Sequence, residues 1–299
     1  MQSRFNSPLR YPGGKQQLSG YIKKLISVNN LHDGIYVEPY AGGAGVALDL
    51  LFSEYIREIH LNDLDKSIYA FWYCVLNDTE RLIRKLKTTI ATLDNWNVQH
   101  DILMNADDST PILDRAFATL FLNRCNRSGI LKAGPIGGKM QSGTWKIDAR
   151  YNVQDIAARI TRIARYKNSI TISNQDSIDF LKVEKPILKK RKSFIYLDPP
   201  YYQKGQDLYL NAYESKDHAL IANFLNEQFS ELNWIVSYDA CSPIAKLYKN
   251  FRCTEQILNY SVSTKHSKGN EFIFYSESMK IPSDMKIILP SDYLNSVGF

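Results

Sequence analysis

The chain has 299 residues, of which 44% are hydrophobic and 23% charged, a balance that indicates a globular protein and argues against a disordered one. Its four cysteines are scattered, with no CxxC pair and no histidine at metal-ligand spacing, which argues against a disulfide framework or a zinc site. No stretch approaches the roughly 18 apolar residues of a membrane span. We therefore expect a soluble cytoplasmic protein with no metal and no membrane partner.

The first predicted element is a proline- and glycine-rich loop, Pro8 to Lys15, which leads into an amphipathic helix that begins near Leu18. Backbone amides at a helix start, together with the Lys15 ammonium, suit an anion such as a carboxylate or a phosphate. A simple turn with a helix cap explains the same residues, and this segment alone does not decide between the two.

A strand, a glycine-rich turn and a helix follow one another between Gly34 and Leu51. Small residues in the turn would let a cofactor approach the backbone closely. The turn and its approach comprise Glu38, Pro39, Tyr40, Ala41, Gly42, Gly43 and Gly45. The glycine spacing does not match a dinucleotide fingerprint, so another nucleoside cofactor is favoured. Asp63 ends a second strand at roughly the 20-residue interval from which an acid binds ribose hydroxyls.

The region from Asp65 to about residue 165 is mainly helical in pattern, with a glycine-rich interruption between Gly134 and Gly143. From Arg115 to Lys167, eleven lysines or arginines stand against two acids, a net charge of +9 in a chain whose total is +6. Such asymmetry favours a surface for a polyanion, although a solvated face explains any single residue equally well. Long donors and an aromatic ring interleaved with glycines suit a nucleic-acid groove, namely Lys139, Gln141, Trp145, Lys146 and Arg150.

The motif with the most specific chemical implication is Asp198-Pro199-Pro200-Tyr201. It directly follows a run, Phe194 to Leu197, that predicts a buried parallel strand. Ligands bind at the carboxyl ends of such strands. A carboxylate, a backbone carbonyl held by prolines and an aromatic ring together suit a flat amine. A strand-ending turn with an Asp cap is the structural alternative.

The remaining elements complete an alternating α/β pattern that ends in a hairpin. Its members are a charged loop at Lys182 to Lys192, a polar loop at Tyr202 to Tyr213 that is a candidate lid, a helix at Ser215 to Phe229, a strand at Trp234 to Tyr238, a short helix from Pro243, and strands Glu255 to Tyr260 and Glu271 to Tyr275 joined by a turn at Lys265 to Asn270.

In their order and spacing these motifs resemble the Dam-type, or D12-class, DNA adenine-N6 methyltransferases, which use S-adenosylmethionine (SAM). The residues that carry the resemblance span most of the chain and are Arg10 to Lys15, Glu38 to Gly45, Asn62-Asp63, Leu122 to Arg124 with Ser128-Gly129, and Asp198 to Tyr201. Several motifs in one order are far more specific than any one of them.

The resemblance implies an α/β fold of the SAM-dependent methyltransferase type, with a Rossmann-like, mostly parallel sheet whose last strand is antiparallel and a mainly helical DNA-recognition insertion. We expect the SAM-binding catalytic domain in residues 1–64 and 166–299 and the target-recognition insertion in residues 65–165. The implied reaction is site-specific transfer of a methyl group from SAM to the N6 amine of a flipped adenine in duplex DNA. S-adenosylhomocysteine would be the product, without a metal.

The implied partner is double-stranded DNA in the cytoplasm of a prokaryote or a phage host. The protein would act as a monomer or weak dimer, and a cognate restriction endonuclease is a candidate partner. The glycine-rich recognition loop differs from that of the GATC-specific enzymes, so the resemblance assigns no target sequence.

The resemblance also assigns roles to single residues. Tyr11 and Lys15 would contact the methionyl end of SAM, the turn from Glu38 to Gly45 would line its site, and Asp63 would bind the ribose. Asp176, after the third strand, is a candidate near the SAM adenine. The catalytic residues would be Asp198, Pro199, Pro200 and Tyr201, with Asp198 also facing the cofactor, and the DNA contacts would add Arg10, Arg124, Asn126 and Arg127 to the loop residues. Tyr40 stands where many members have Phe, which should preserve packing.

Three other functions compete with this one. Cytosine-N4 methylation poses the same chemical problem, but Asp198 and the amino-terminal motif order favour adenine. RNA modification would not need a long insertion that reads a duplex groove. A non-catalytic DNA-binding protein with a retained SAM fold would not need Lys15, Asp63 and Asp198 intact.

Overall fold

The computed structural model describes residues 6–10, 15–202, 213–262, 265–290 and 294, with the side chains of residue 16 and residues 257–269 left out of the description. Its α-helices are α1 (Ser19–Val28), α2 (Gly45–Phe52), α3 (Lys66–Asn77), α4 (Thr79–Thr88), α5 (Leu93–Met104), α6 (Ile112–Cys125), α7 (Val153–Ala164), α8 (Ser177–Leu188), α9 (Ser215–Gln228) and α10 (Ser242–Leu247). Its strands are β1 (Ile35–Glu38), β2 (Glu58–Asn62), β3 (Ile170–Ser173), β4 (Ser193–Leu197), β5 (Trp234–Asp239), β6 (Arg252–Val262), β7 (Lys265–Tyr275) and β8 (Ile287–Ile288).

The strands form one sheet in the order β3-β2-β1-β4-β5-β7-β6-β8. The first five pair in parallel, whereas β7 runs antiparallel between β5 and β6. Every residue of the central strands β1 and β4 is buried, as expected of parallel strands covered on both faces. The mostly parallel Rossmann-like sheet with an antiparallel strand at its end is confirmed.

Alternating side chains of each strand enter two separate hydrophobic clusters. Tyr36 and Tyr196 point into the cluster that α1 to α7 cover, while Val37 and Leu197 point into the one that α8, α9 and α10 cover. The helices α3 to α7 all lie in the predicted insertion, residues 65–165, and share their cluster with α1 and α2. The predicted insertion therefore packs on the same face of the sheet as the amino-terminal helices.

An amino-terminal strap, residues 6–10, runs along helices α6 and α7 of this insertion. The side chain of Asn123 in α6 accepts a hydrogen bond from Arg10 N at 2.7 Å and donates one to Arg10 O at 2.7 Å. Arg159 in α7 donates to Ser7 O at 2.7 Å. Helices of the insertion thus fix the backbone that leads to Lys15.

Three predicted elements differ from the structure. The helical pattern between Asp65 and Leu93 breaks at Asp78, whose φ of −137° separates α3 from α4. The predicted loop Lys182 to Lys192 is helical up to Leu188, because Phe180 and Leu181 bury one face of α8. The predicted turn at residues 265–270 is part of β7, which pairs with β6 throughout. Across the described ranges, no helix is long and apolar enough to cross a membrane.

Candidate active site

Four parallel strands and one antiparallel strand bring acidic residues to one edge of the sheet. β1 ends at Glu38, β2 is followed by Asp63, and β4 is followed by Asp198. Because β1 pairs in parallel with both β2 and β4, these carboxyl groups lie on the same edge. The parallel strand β5 ends at Asp239, and the opposite direction of β7 sets Glu271 opposite that residue, so both acids lie at this edge as well.

The glycine-rich turn after β1 is closed by hydrogen bonds to the end of β2. Ala41 N donates to Asn62 O at 2.8 Å, and Gly42 N donates to Asp63 Oδ2 at 2.8 Å. Gly42 and Ala44 have φ values of 46° and 48°, in the left-handed region that favours glycine. The chain therefore turns sharply before α2, and the Asp63 carboxylate fixes this turn through the Gly42 amide.

Asp63 itself is suited to a nucleoside. Its second oxygen accepts a hydrogen bond from Asp65 N at 2.9 Å. Burial raises the pKa of Asp63 to about 7, and the nearby Asp65 carboxylate also raises it. A ribose diol would supply hydroxyl donors to such a carboxylate, and a small depression lined by Ala41, Asp63 and Trp72 lies beside it. The residues present therefore fit the nucleoside part of SAM.

The turn is also joined to the start of α8, where Asp176 lies. The hydroxyl of Tyr40 donates to Ser177 Oγ at 2.8 Å, so this tyrosine adds a polar link beyond the packing that a phenylalanine would preserve. Asp176 is exposed and caps α8 by accepting a hydrogen bond from Ile178 N at 2.9 Å. Its role near the SAM adenine stays a prediction.

Glu38 is a buried acid of this edge. Tyr36 donates its hydroxyl hydrogen to Glu38 Oε1 at 2.9 Å. Burial raises the pKa of Glu38 to about 8, and the charge of Asp198 contributes to this rise. Glu38 therefore holds a proton at neutral pH and lies beneath the turn as a neutral group.

Asp198 belongs to a polar cluster with Lys15, Tyr201, Ser237 and Glu271, which we call the Asp198 cluster. Lys15 Nζ donates to Tyr201 Oη at 2.9 Å, pairs with Glu271 Oε1 and lies 3.5 Å from Asp198 Oδ1. Tyr201 in turn donates to Glu271 Oε1 at 2.8 Å. Ser237 Oγ donates to Asp198 Oδ1 at 2.9 Å. The structure thus brings the amino-terminal motif and the Asp198 motif together around one ammonium.

Exposure separates Asp198 from the rest of this cluster. Its side chain keeps 26% of its surface exposed, against 4% for Lys15 and 2% for Glu271. Burial raises the pKa of both carboxyl groups, and the charge of Lys15 opposes that rise. Among the residues that the structure describes, none donates a hydrogen bond to Asp198 Oδ2 or to the Pro199 carbonyl. Asp198 Oδ1 is therefore the oxygen of this carboxylate that Ser237 and Lys15 engage.

Two of the DNA-contact candidates turn toward the protein's own backbone. Arg124 donates to Arg150 O at 2.7 Å and approaches Pro8 O at 3.4 Å. Its burial, with Arg10 nearby, lowers the pKa of Arg124 to about 10. Arg10 is half-buried and donates to the carbonyl of Asn126 at 3.2 Å. Both guanidinium groups therefore hold the strap against the insertion in this structure.

Asn126 and Gln141 also satisfy the protein's own backbone. The fully buried Asn126 accepts a hydrogen bond from Trp96 Nε1 at 2.6 Å and donates to Leu131 O at 2.9 Å. Gln141 donates to Ile136 O at 2.8 Å. The hydrogen bonds of these side chains stabilise the conformation of the glycine-rich loop. They do not indicate a contact with DNA.

The other five candidates form what we call the loop surface. All are exposed, and the ring of Trp145 keeps 70% of its surface in contact with solvent. They are Arg127, Lys139, Trp145, Lys146 and Arg150. Their contact with DNA stays a prediction. Tyr11 and the interior of the candidate lid, residues 203–212, lie outside the described residues.

Glu271 and Ser237 are members of the Asp198 cluster that motif reasoning does not identify. Each comes from a strand of the carboxyl-terminal half, and neither belongs to a local motif. Glu271 does carry one signal, because it is an acid next to the apolar run Phe272 to Phe274 at a predicted strand start. An acid in such a position requires a buried partner.

Comparison with known proteins agrees with this geometry. The family model described as D12 class N6 adenine-specific DNA methyltransferase matches residues 11–262. The chain is 22% identical over 287 residues to the type II methyltransferase M.MjaIII of Methanocaldococcus jannaschii, which covers 89% of this chain and 96% of that protein.

The chain is also similar to proteins of known structure. The candidate methyltransferase yhhF from Escherichia coli is 11% identical with a TM-score of 0.33, covering 88% of this chain and 86% of that one. A conserved hypothetical protein from Streptococcus pyogenes is 10% identical with a TM-score of 0.31, covering 85% and 96%. Because the family model matches most of the sequence, this chain belongs to the D12 class and is an adenine-specific DNA methyltransferase.

Proposed function

We propose that this enzyme transfers the methyl group of SAM to the N6 amine of an adenine that has been flipped out of duplex DNA, and that Asp198 receives that amine. The observation that carries the proposal is the partly exposed Asp198 at the end of a buried strand, with Oδ1 fixed by Ser237 and Lys15. The fixed oxygen leaves Oδ2 and the Pro199 carbonyl as two acceptors for the two hydrogens of one amine.

The chemistry explains why two acceptors are needed. The lone pair of an exocyclic adenine amine is delocalised into the ring, which makes N6 a poor nucleophile. If Asp198 and the Pro199 carbonyl each accept one N6 hydrogen, the nitrogen can become tetrahedral and direct its lone pair at the methyl group. Because these acceptors are fixed before the substrate arrives, positioning and hydrogen bonding supply the rate enhancement.

SAM supplies an electrophilic methyl group on a sulfonium when it is bound. Asp63 would hold the ribose, the turn from Ala41 to Gly43 would let the cofactor approach the backbone, and Asp176 would lie near the adenine. Lys15 would contact the methionyl carboxylate from its position at the start of the first helical turn. The raised pKa of Asp63 supports this assignment, because a buried carboxylate gains from added hydroxyl donors.

Tyr201 would stack on the flipped base, which has to leave the duplex to reach this edge of the sheet. Its hydroxyl is anchored to Glu271, and the Lys15 ammonium lies 4.9 Å from the ring centroid. An anchored ring loses little freedom when a base stacks on it. The loop surface would contact the phosphates and base edges of the duplex around the flipped adenine.

A direct test uses SAM with a deuterated methyl group and a mixed-sequence DNA duplex, followed by hydrolysis and mass spectrometry of the nucleosides. We expect labelled N6-methyladenine, and a loss of about 100- to 1,000-fold in rate for Asp198→Ala. Asp179→Ala, an exposed carboxylate of α8, is the matched control and should keep the wild-type rate. Labelled N4-methylcytosine in place of N6-methyladenine, or an Asp198→Ala protein as active as wild type, would contradict the proposal.

The relative named above is a type II methyltransferase, which supports a role beside a restriction endonuclease for this chain as well. That partner, a cytoplasmic location and a monomeric or weakly dimeric state remain part of the proposal. Sequencing the methylated adenines of an expressing host would identify the target, and co-purification of an endonuclease activity with the same target would establish the pairing.

A further inference from the structure

Glu271 is a buried acid in the Asp198 cluster that comes from a strand far away in sequence. The antiparallel register of β7 and β5 sets it at the edge where the parallel strands end. Only 2% of its side chain is exposed, and it precedes the apolar residues Phe272 and Ile273. An ionised carboxyl group at such a position requires fixed donors.

Two donors reach Glu271 Oε1. One is Lys15 Nζ, and the other is the Tyr201 hydroxyl at 2.8 Å. Lys15 also donates to the Tyr201 oxygen at 2.9 Å, so the three groups form a closed triangle. By contrast, 3.5 Å separates Lys15 Nζ from Asp198 Oδ1. The ammonium is therefore held primarily by Glu271 and only secondarily by Asp198.

We propose that Glu271 is a positioning residue for methyl transfer, which holds Lys15 and Tyr201 so that the ammonium does not move onto Asp198 and Asp198 Oδ2 remains open to the adenine amine. This inference rests on the proposed function of Asp198. If Glu271 lost its charge, the ammonium would move onto Asp198 and compete with the N6 hydrogens for its lone pairs. If Lys15 were lost, the buried Asp198 would gain a proton and accept hydrogen bonds poorly.

Titratable groups from several elements face Asp198. Glu38 and Tyr36 approach it from β1, Tyr196 from β4, Lys15 from the first helical turn and Glu271 from β7. In this set Lys15 is the cation whose charge opposes the effect of burial on Asp198. If the Lys15 ammonium moves toward Asp198 or away from it, the protonation of Asp198 therefore changes.

The first test is Glu271→Gln in the full-length enzyme, because glutamine still accepts a hydrogen bond from Tyr201 but carries no charge. Single-turnover methylation of duplex DNA would be measured from pH 5 to pH 9. We expect the rate on the alkaline plateau to fall about 10- to 100-fold. The acidic limb of the profile should move about one unit to lower pH, because Lys15 pairs more closely with Asp198.

A purely structural role for Glu271 predicts a different result. The rate would then fall in proportion to the folded fraction, and the acidic limb would stay where it is in wild type. An unmoved limb in a folded Glu271→Gln protein overturns the inference.

A second variant, Lys15→Met with Glu271→Gln, removes both charges and so avoids leaving Glu271 as a buried unpaired carboxylate. Here we expect the acidic limb to move to higher pH, opposite to the single variant, because Asp198 loses its cation. A shift of both variants in the same direction, or of neither, overturns the inference. If Glu271→Gln fails to fold, Glu271→Asp takes its place, because the shorter side chain withdraws the carboxylate from Lys15 and Tyr201. The acidic limb should then move to lower pH, and an unmoved limb overturns the inference.

A measurement without turnover separates this inference from the proposed function. The aspartate carboxyl groups would be labelled with carbon-13, and the Asp198 resonance assigned by its loss in Asp198→Asn. We expect the titration of Asp198 to move to lower pH in Glu271→Gln, whether or not adenine proves to be the substrate. An unchanged titration overturns the role of Glu271, whereas an inactive wild-type enzyme with a shifted titration contradicts only the proposed function.

Discussion

Two groups of cations in this enzyme have opposite surroundings, although all carry the same charge. The inner cations, Lys15, Arg124 and Arg159, lie against fixed oxygen atoms of the protein itself. The exposed cations of the glycine-rich loop, such as Lys139, lie at the protein surface. A count of positive charges along the chain treats both groups alike. Only the fold decides which cations hold the protein together and which are available to a phosphate.

Substitutions in the two groups should also differ in whether they lower the stability of the protein or its affinity for DNA. Removing a buried cation leaves its acceptors without a donor in a place that water does not reach, which costs stability. Removing an exposed cation should hardly change the free energy of unfolding of the free protein, because the cation is surrounded by solvent. Its loss should appear only when DNA is bound.

The largest effect is expected for Lys15→Met, which leaves the buried Glu271 and Asp198 without their cation. We expect the free energy of unfolding at pH 7 to fall by about 3–5 kcal/mol, measured by urea denaturation. Both carboxyl groups already have pKa values raised by burial, and the loss of Lys15 raises them further. A group with a raised pKa costs stability only when it ionises, so the loss should shrink below about pH 4 and grow as pH rises. The same loss at both pH values would show that packing, not charge, is the cause.

The next effect is expected for Arg124→Met, which keeps an apolar stem but removes the donors to Arg150 O and Pro8 O. We expect a loss of roughly 1–3 kcal/mol in the free energy of unfolding, because the buried Pro8 carbonyl and the partly buried Arg150 carbonyl lose their donor. The slope of DNA affinity against salt concentration should stay at its wild-type value. A flatter slope would show that Arg124 reaches a phosphate, in agreement with the sequence-based expectation and not with its position in this structure.

A buried acid can also be accommodated without a cation, and Glu38 tests that case. Burial raises its pKa to about 8, so the folded protein keeps a proton there that the unfolded chain releases near its usual value of 4.5. Between these two values the folded state binds more protons, and stability therefore falls as pH rises, on the order of 1.4 kcal/mol per pH unit. Glu38→Gln should remove this slope while still accepting the Tyr36 hydrogen bond. If wild type and Glu38→Gln show parallel pH dependence in calorimetry, Glu38 is not protonated in the folded state.

Local sequence signals predict the parallel half of the sheet and its acids well. Asp198 follows a short apolar run and Asp63 follows an alternating strand pattern, and the end of such a strand is where an α/β sheet presents ligand contacts. The burial of Arg124 could also have been read from α6, whose residues from Leu113 onward are nearly all buried on every side. A helix that is apolar all round lies inside the protein, and its arginine lies inside with it.

Other features depend on distant pairing and leave no local signal. The contact between Lys15 and Glu271 joins residues 256 positions apart and requires the antiparallel register of β7. The hairpin of β6 and β7 is also longer than predicted, because its polar outer residues pair by backbone groups that composition does not reveal. Gln141 resembles a base-reading side chain in sequence, but its hydrogen bonds to Ile136 and Gly138 require the closed shape of the loop.

The smallest effect on the free protein, and the sharpest contrast with Lys15, is expected for Lys139→Ala in the exposed loop. Because this side chain is exposed, the free energy of unfolding should change by less than about 0.5 kcal/mol. If Lys139 contacts one phosphate, the slope of log affinity against log salt should become shallower by about 0.9, and affinity at low salt should fall several-fold. Lys182→Ala on α8, also exposed, removes the same charge from another part of the protein and should leave the slope unchanged. Equal effects of the two substitutions would mean that net charge, not the loop, attracts the DNA.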